Sequence, residues 1–171
     1  MNGYAIKGAN GQLPISLGWE GANCAFTVTG GPYDKYPGPQ NAFGVCVRAE
    51  NAGNLHKDVW LKIKDFNVPT DDLAVHAALR QTLSAALTGK DVYIGCQGGW
   101  GRTGLFLALL AKTCGVENPI MYVRQNYART AVETPAQEKY VRDFDVTPTR
   151  IWLFWYAWTG RIGNAMFWWR R

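Results

Sequence analysis

Residues 91–104 read DVYIGCQGGWGRTG, and this stretch decides the fold. Asp91 to Gly95 is a short apolar run with β-branched residues, the pattern of a buried strand. Thr103 to Cys114, TGLFLALLAKTC, is apolar nearly all round and is stopped by Gly115, the pattern of a buried helix. Between them, Cys96-Gln97-Gly98-Gly99-Trp100-Gly101-Arg102 is a Cys-x5-Arg turn. A strand-to-helix turn of this kind aims successive backbone N–H groups at one point before the helix N-terminus and so makes an anion cradle. Its glycines permit the close backbone approach a cradle needs. The same positive field favours a thiolate, so Cys96 at the base of the loop reads as a nucleophile. Arg102 closes the loop with a planar fork that can hold two phosphoryl oxygens, and Thr103 can hydrogen-bond the sulfur and help it leave.

Outward from this loop the chain divides into an early part with strands and a late part with helices. Cys24 to Thr29, Phe43 to Arg48 and Val59 to Ile63 read as strands. Gly30 to Asn41, GGPYDKYPGPQN, reads as a loop whose prolines and glycines exclude helix or central strand, and in which Tyr33 and Tyr36 either pack down or line a cleft. Thr70 is placed to cap a helix with Asp71 and Asp72 in its first turn and Leu73, Ala77, Leu79, Leu83 and Leu87 on its apolar side, ending at Gly89. Asn118-Pro119 and Thr134-Pro135 each set a capping residue before a proline, predicting helices through Tyr122 to Ala128 and Gln137 to Phe144. This order of elements gives an α/β class.

Cys96-x-x-Gly99-x-Gly101-Arg102-Thr103-Gly104 after a Val-x-Ile strand resembles the signature loop of the protein tyrosine and dual-specificity phosphatase superfamily. Two further segments carry the likeness. Asp65-Phe66-Asn67-Val68-Pro69 resembles the family's mobile acid loop, with Ile63-Lys64 standing where many members have Trp-Pro. Ala131 to Gln137, followed by Tyr140-Val141 and Phe144, is similar to the segment in which a family glutamine positions the hydrolytic water, and Arg124 and Arg129 match arginines that precede it. The resemblance implies a central mixed, mainly parallel sheet flanked by helices. It implies Cys96 as nucleophile, Asp65 as general acid, Gln137 as the water-positioning group, and Gln97, Gly98, Gly99, Trp100, Gly101 and Arg102 as the phosphate-binding loop. No metal or other cofactor is implied. The reaction would be phosphomonoester hydrolysis through a phosphocysteine, on phosphotyrosine and also phosphoserine or phosphothreonine of a protein.

One departure stands out. Gly95 occupies the place where the family usually has a histidine that supports the cysteine, which predicts a weaker nucleophile and leaves a phosphate-binding protein without turnover as the competing reading. RNA 5′-phosphate or a phosphoinositide is the alternative substrate class. Asp71 and Asp72 rival Asp65 as acids, against their simpler reading as helix-terminal charges. Trp100 either stacks on a substrate or covers the cradle. His56 and His76 match no motif and are expected to be exposed; Cys24, Cys46 and Cys114 are expected to be inert core thiols.

With 171 residues and 47% hydrophobic content, the chain is read as one catalytic domain, residues 1–149, followed by a Trp-rich basic segment, residues 150–171, with five of the eight tryptophans. The net charge of +5 favours anionic partners, but 18% charged residues is too sparse for a polybasic arm, so nucleic acid and acidic lipid are not favoured. Scattered cysteines argue against zinc or disulfides, and Met1 to Gly11 lacks the apolar core of a secretory signal; both point to a cytoplasm, that of a host if the chain is viral. The glycine before the cysteine and the GGWGRTG run resemble phage-encoded members of the family. Ile151 to Trp169 is interrupted by Arg161 and Asn164, which argues against a membrane span and for docking on the domain or on a partner subunit over insertion into lipid.

Overall fold

The computed structural model describes residues 11–17, 24–50 and 53–168, with backbone alone at residues 157, 158 and 160–168. The expectation for the first ten residues, and that for the last three, lie outside the described residues. Among the described residues five strands form one sheet in the order β1-β2-β5-β3-β4. They are β1 (Gln12–Ser16), β2 (Ala25–Pro32), β3 (Phe43–Cys46), β4 (Val59–Trp60) and β5 (Val92–Cys96). β1 runs antiparallel to β2 and the other pairings are parallel, so the sheet is mixed and mainly parallel, as expected. Among the described residues five α-helices follow or intervene: α1 (Asp72–Leu87), α2 (Gly101–Thr113), α3 (Pro119–Asn126), α4 (Pro135–Asp143) and α5 (Thr147–Trp168).

β5 lies at the centre with every residue buried, because it is paired on both sides and covered on both faces. Val92, Ile94 and Cys96 face the main core, which includes Leu79 and Leu83 of α1 and Leu105, Phe106 and Leu109 of α2. Tyr93 faces the other way, into a second cluster with Tyr33, Tyr36 and Cys46. Tyr33 and Tyr36 therefore pack down and do not line a cleft; their rings stack at 5.2 Å, and both hydroxyls donate to backbone carbonyls of the same face.

Several boundaries differ from the expectations. β2 continues through Gly30, Gly31 and Pro32, which the sequence placed in a loop. Gly30 lies against the Tyr127 ring and Gly31 against the Tyr93 hydroxyl, so the absent side chains make room for two aromatics, and Pro32 ends the strand where a missing N–H matters least. β1 carries Pro14 and alternates exposed with buried residues as an edge strand; it was not anticipated. The α1 cap is Asp71, whose carboxylate accepts from the N–H groups of Leu73 and Ala74, so Thr70 is outside the helix. Leu73 is 79% exposed and Ala77 is exposed; the buried side is Val75, Ala78, Leu79, Thr82, Leu83 and Ala86. Asn118 and Thr134 cap α3 and α4 as expected. His76 is half-buried, bonded to Thr149 at 2.7 Å and packed on Phe144, because it fills the junction between α1 and the start of α5. α5 docks on α1 through buried Leu153 and a Ser84 to Tyr156 hydroxyl bond of 3.0 Å. Among the described residues, no helix is long and apolar enough to cross a membrane.

Candidate active site

The loop from Cys96 to Arg102 joins the C-terminal end of the central strand to the N-terminus of α2, the place where open α/β sheets bind ligands. Cys96 is 3% exposed. The donor to its sulfur is the Gly99 N–H at 3.2 Å. Thr103, expected to bond that sulfur, instead accepts from the Cys96 backbone N–H at 2.9 Å and so fixes the main chain of Cys96. Gly99 is left-handed, with φ of +82°, and lies against the backbone of Gly31 and Pro32, so neither its dihedral nor its surroundings admit a side chain. Trp100 is half-buried, with its ring beside Gly98.

Gly95 has a structural reason. A Cβ there would lie 2.7 Å from the Gly31 carbonyl oxygen and 2.8 Å from the Tyr33 nitrogen. The end of β2 thus fills the space that a histidine would need.

Arg102 is 2% exposed and fully engaged. Its Nη1 donates to Glu50 Oε2 at 2.5 Å and to the Ile63 carbonyl at 3.1 Å, and its Nη2 meets Asp65 Oδ1 at 2.9 Å. Burial works against ionisation of Glu50, but its own backbone N–H and Arg102 outweigh this and hold its carboxyl below the usual range. A second arginine, Arg48, is buried behind the loop, where it donates to Gln97 Oε1 at 2.6 Å and Asp34 Oδ1 at 2.8 Å.

The structure brings Asp65 and Gln137 to this place. Gln137 is fully buried; its Nε2 donates to the Asn67 carbonyl at 3.2 Å and its Oε1 accepts from the Glu133 N–H at 2.9 Å, tying the acid loop to the segment before α4. Arg124 holds the same segment by donating to the Ala131 and Val132 carbonyls, while Arg129 is exposed. The rival acids are otherwise employed: Asp71 caps α1, and Asp72 accepts from the Tyr140 hydroxyl at 2.6 Å.

Sequence reading missed Arg48, Glu50, Glu133 and Tyr127. Glu133 sits over the start of α2, its carboxylate taking the Gly101 N–H. Burial pushes its carboxyl up and the charge of Asp65 adds to this, against opposing pulls from Gly101 and Arg102. Among the described residues two non-glycine residues have positive φ, Phe66 at +55° and Val132 at +60°. They adjoin Asp65 and Glu133 respectively, so backbone strain is spent where two carboxylates are aimed. One signal was available: Arg48 and Glu50 are charges just past an apolar strand, at the end where sites form. Tyr127 carried no such signal, since its hydroxyl meets the loop only through the packing of α3. Among the described residues no cluster of His, Cys, Asp and Glu is arranged to hold a metal.

A central strand, a Cys-x5-Arg loop and a buried helix on a mixed sheet define the architecture of the cysteine-dependent tyrosine and dual-specificity phosphatases. The likeness to solved structures agrees. Tk-PTP in its active form superposes with a TM-score of 0.56 at 23% identity, over 69% of this chain and 89% of that one. The kinase associated phosphatase does so with a TM-score of 0.59 at 15% identity, over 78% and 92%. Within this class the chain belongs to the PTP-SAK family, described as Swiss Army Knife protein, DSP-PTPase phosphatase domain, whose profile matches residues 49–147. An uncharacterized protein of Methanocaldococcus jannaschii is 42% identical over 89 residues, 50% of this chain and 58% of the relative. The chain thus spans little more than half the length of the curated relatives it matches.

Proposed function

We propose that the chain hydrolyses phosphomonoesters through a phosphocysteine at Cys96. The observation that carries this reading is the Cys96 sulfur under the Gly99 N–H in a loop closed by the buried Arg102, whose guanidinium holds Asp65. In the resting state Asp65 occupies Nη2 of Arg102. A phosphoryl dianion competes for that nitrogen, and Asp65, once displaced, stands free at the rim of the cradle. The Cys96 thiolate then attacks phosphorus, forming an S–P bond as the P–O bond breaks, and protonated Asp65 gives its proton to the departing oxygen. In the second step water attacks the phosphocysteine, its proton passes to the Asp65 carboxylate, and the thiolate leaves. Gln137, fixed between Asn67 and Glu133, orients that water. Stabilisation comes from loop amides and Arg102 aimed at equatorial oxygens, and proton transfer adds to it.

The substrate is proposed to be a phosphoprotein, with phosphotyrosine first and phosphoserine or phosphothreonine next. The deciding experiment is p-nitrophenyl phosphate hydrolysis by wild type, Cys96→Ser and Asp65→Ala from pH 5 to 8 with vanadate as inhibitor. Vanadate-sensitive turnover that Cys96→Ser abolishes is expected; a wild type as silent as Cys96→Ser would leave a binding protein. Parallel assays on phosphopeptides, RNA 5′-phosphate and phosphoinositides sort the substrate class.

A further inference from the structure

Tyr127 follows α3 and is fully buried, with its ring packed on Gly30 of β2. Its hydroxyl donates to the Gly99 carbonyl, inside the signature loop. The proposed reaction makes no use of this group. Its geometry, however, fixes a peptide plane. A peptide is planar and trans, so the carbonyl of one residue and the N–H of the next point in opposite directions. With the Gly99 carbonyl drawn down to a buried hydroxyl, the Trp100 N–H is turned the other way, away from Tyr127. Glycine is the residue whose flanking peptides rotate most freely, and a rotated plane would present a carbonyl oxygen to an incoming phosphoryl group. Burial pushes the Tyr127 hydroxyl well above the ordinary phenol range, and Cys96 and Tyr93 act in the same direction, so it stays a neutral donor.

We propose that Tyr127 is a positioning residue whose hydroxyl locks the Gly99–Trp100 peptide with its N–H facing the bound oxyanion. This rests on the reading of the loop as a phosphate cradle. It differs from the grip of Arg48, which holds the side chain of Gln97 and no peptide plane.

The test compares wild type with Tyr127→Phe, which keeps the ring and removes the hydroxyl. Thermal melting reports folding; vanadate affinity and the rate at which iodoacetate alkylates Cys96, read by peptide mass, report the cradle. The variant is expected to remain folded, to bind vanadate about tenfold more weakly, the scale for one lost hydrogen bond to a charged group, and to be alkylated more slowly. A folded variant with unchanged vanadate affinity and alkylation overturns the proposal. Should the variant not fold, a crystal structure of wild type with vanadate decides. The proposal requires the Gly99 carbonyl on Tyr127 and the Trp100 N–H on a vanadate oxygen, and it falls if that carbonyl has left Tyr127. A wild type that binds no vanadate removes the cradle and the phosphatase reading together, whereas equal binding by both proteins removes the role of Tyr127 alone.

Discussion

Gly95 carries the clearest residue-scale prediction. The backbone of Gly31 and Tyr33 occupies the position of any Cβ at 95, and backbone yields less readily than a side-chain tip. Gly95→His is therefore expected to lower stability by more than the about 1–3 kcal/mol of ordinary overpacking, and to bring no gain in turnover. Melting temperature and turnover of p-nitrophenyl phosphate, measured together, check both halves. Glu133 has the opposite character, since burial and Asp65 raise its proton affinity in the folded state. A carboxyl so raised costs stability once pH climbs through its folded value and costs nothing below its unfolded one. Glu133→Gln is expected to melt higher than wild type at pH 7, with the gap closing as pH falls to about 4; a constant gap across that range would show that charge is not the cause. At Asp65, replacement by alanine is expected to cut turnover by about 10²-fold or more if it supplies the proton. The loss should be greatest for substrates with poor leaving groups.

At the scale of elements, α1 separates two readings of neighbouring aspartates. Asp71 caps the helix, so Asp71→Ala is expected to cost about 1 kcal/mol of stability while turnover stays at the wild-type level, the reverse of Asp65→Ala. The junction of α1 with α5 adds a pH dependence. Burial lowers the His76 value from 6.5, with Arg80 adding to this and Asp72 and Asp145 opposing it, while Thr149 takes the ring nitrogen. A histidine held neutral in the fold contributes stability above its unfolded value and loses it as pH falls below. His76→Gln should accordingly flatten the decline in melting temperature between pH 7 and 5.

This scale also shows where sequence reading held. The strand, cradle and helix around Cys96 were legible because a nest needs glycines in a fixed local pattern, and the caps at Asn118 and Thr134 because capping is a matter of three adjacent residues. The path of β2 through Gly30 to Pro32 was not, because its cause is the arrival of Tyr93 and Tyr127 from distant positions. Glu50 and Arg48 escaped for the same reason: their partners lie 52 and 49 residues away.

Across the whole molecule, α5 is joined to the rest of the fold by buried Leu153 and by the bond between Tyr156 and Ser84. Removing residues 150–171 is thus expected to lower stability by at least the about 2–5 kcal/mol of a lost buried leucine. A chain shortened to end at Thr159 keeps those contacts and is the proper one for asking whether the remaining segment binds a partner. Denaturant midpoints of the two truncations distinguish the effects.

The wedge formed by the end of β2 reaches beyond stability. Gly31 touches the positions of a Cβ at both 95 and 99, so three glycines from two strands and a loop share one space. Neither Gly95 nor Gly99 can acquire a side chain until the backbone at the end of β2 has withdrawn, whereas a side chain at Gly31 meets the tip of Tyr93. In a lineage this ties positions 95 and 99 to the path of β2: a histidine before the cysteine is not one substitution away from this sequence, and the chain is held on its own side of a valley that point mutations do not cross.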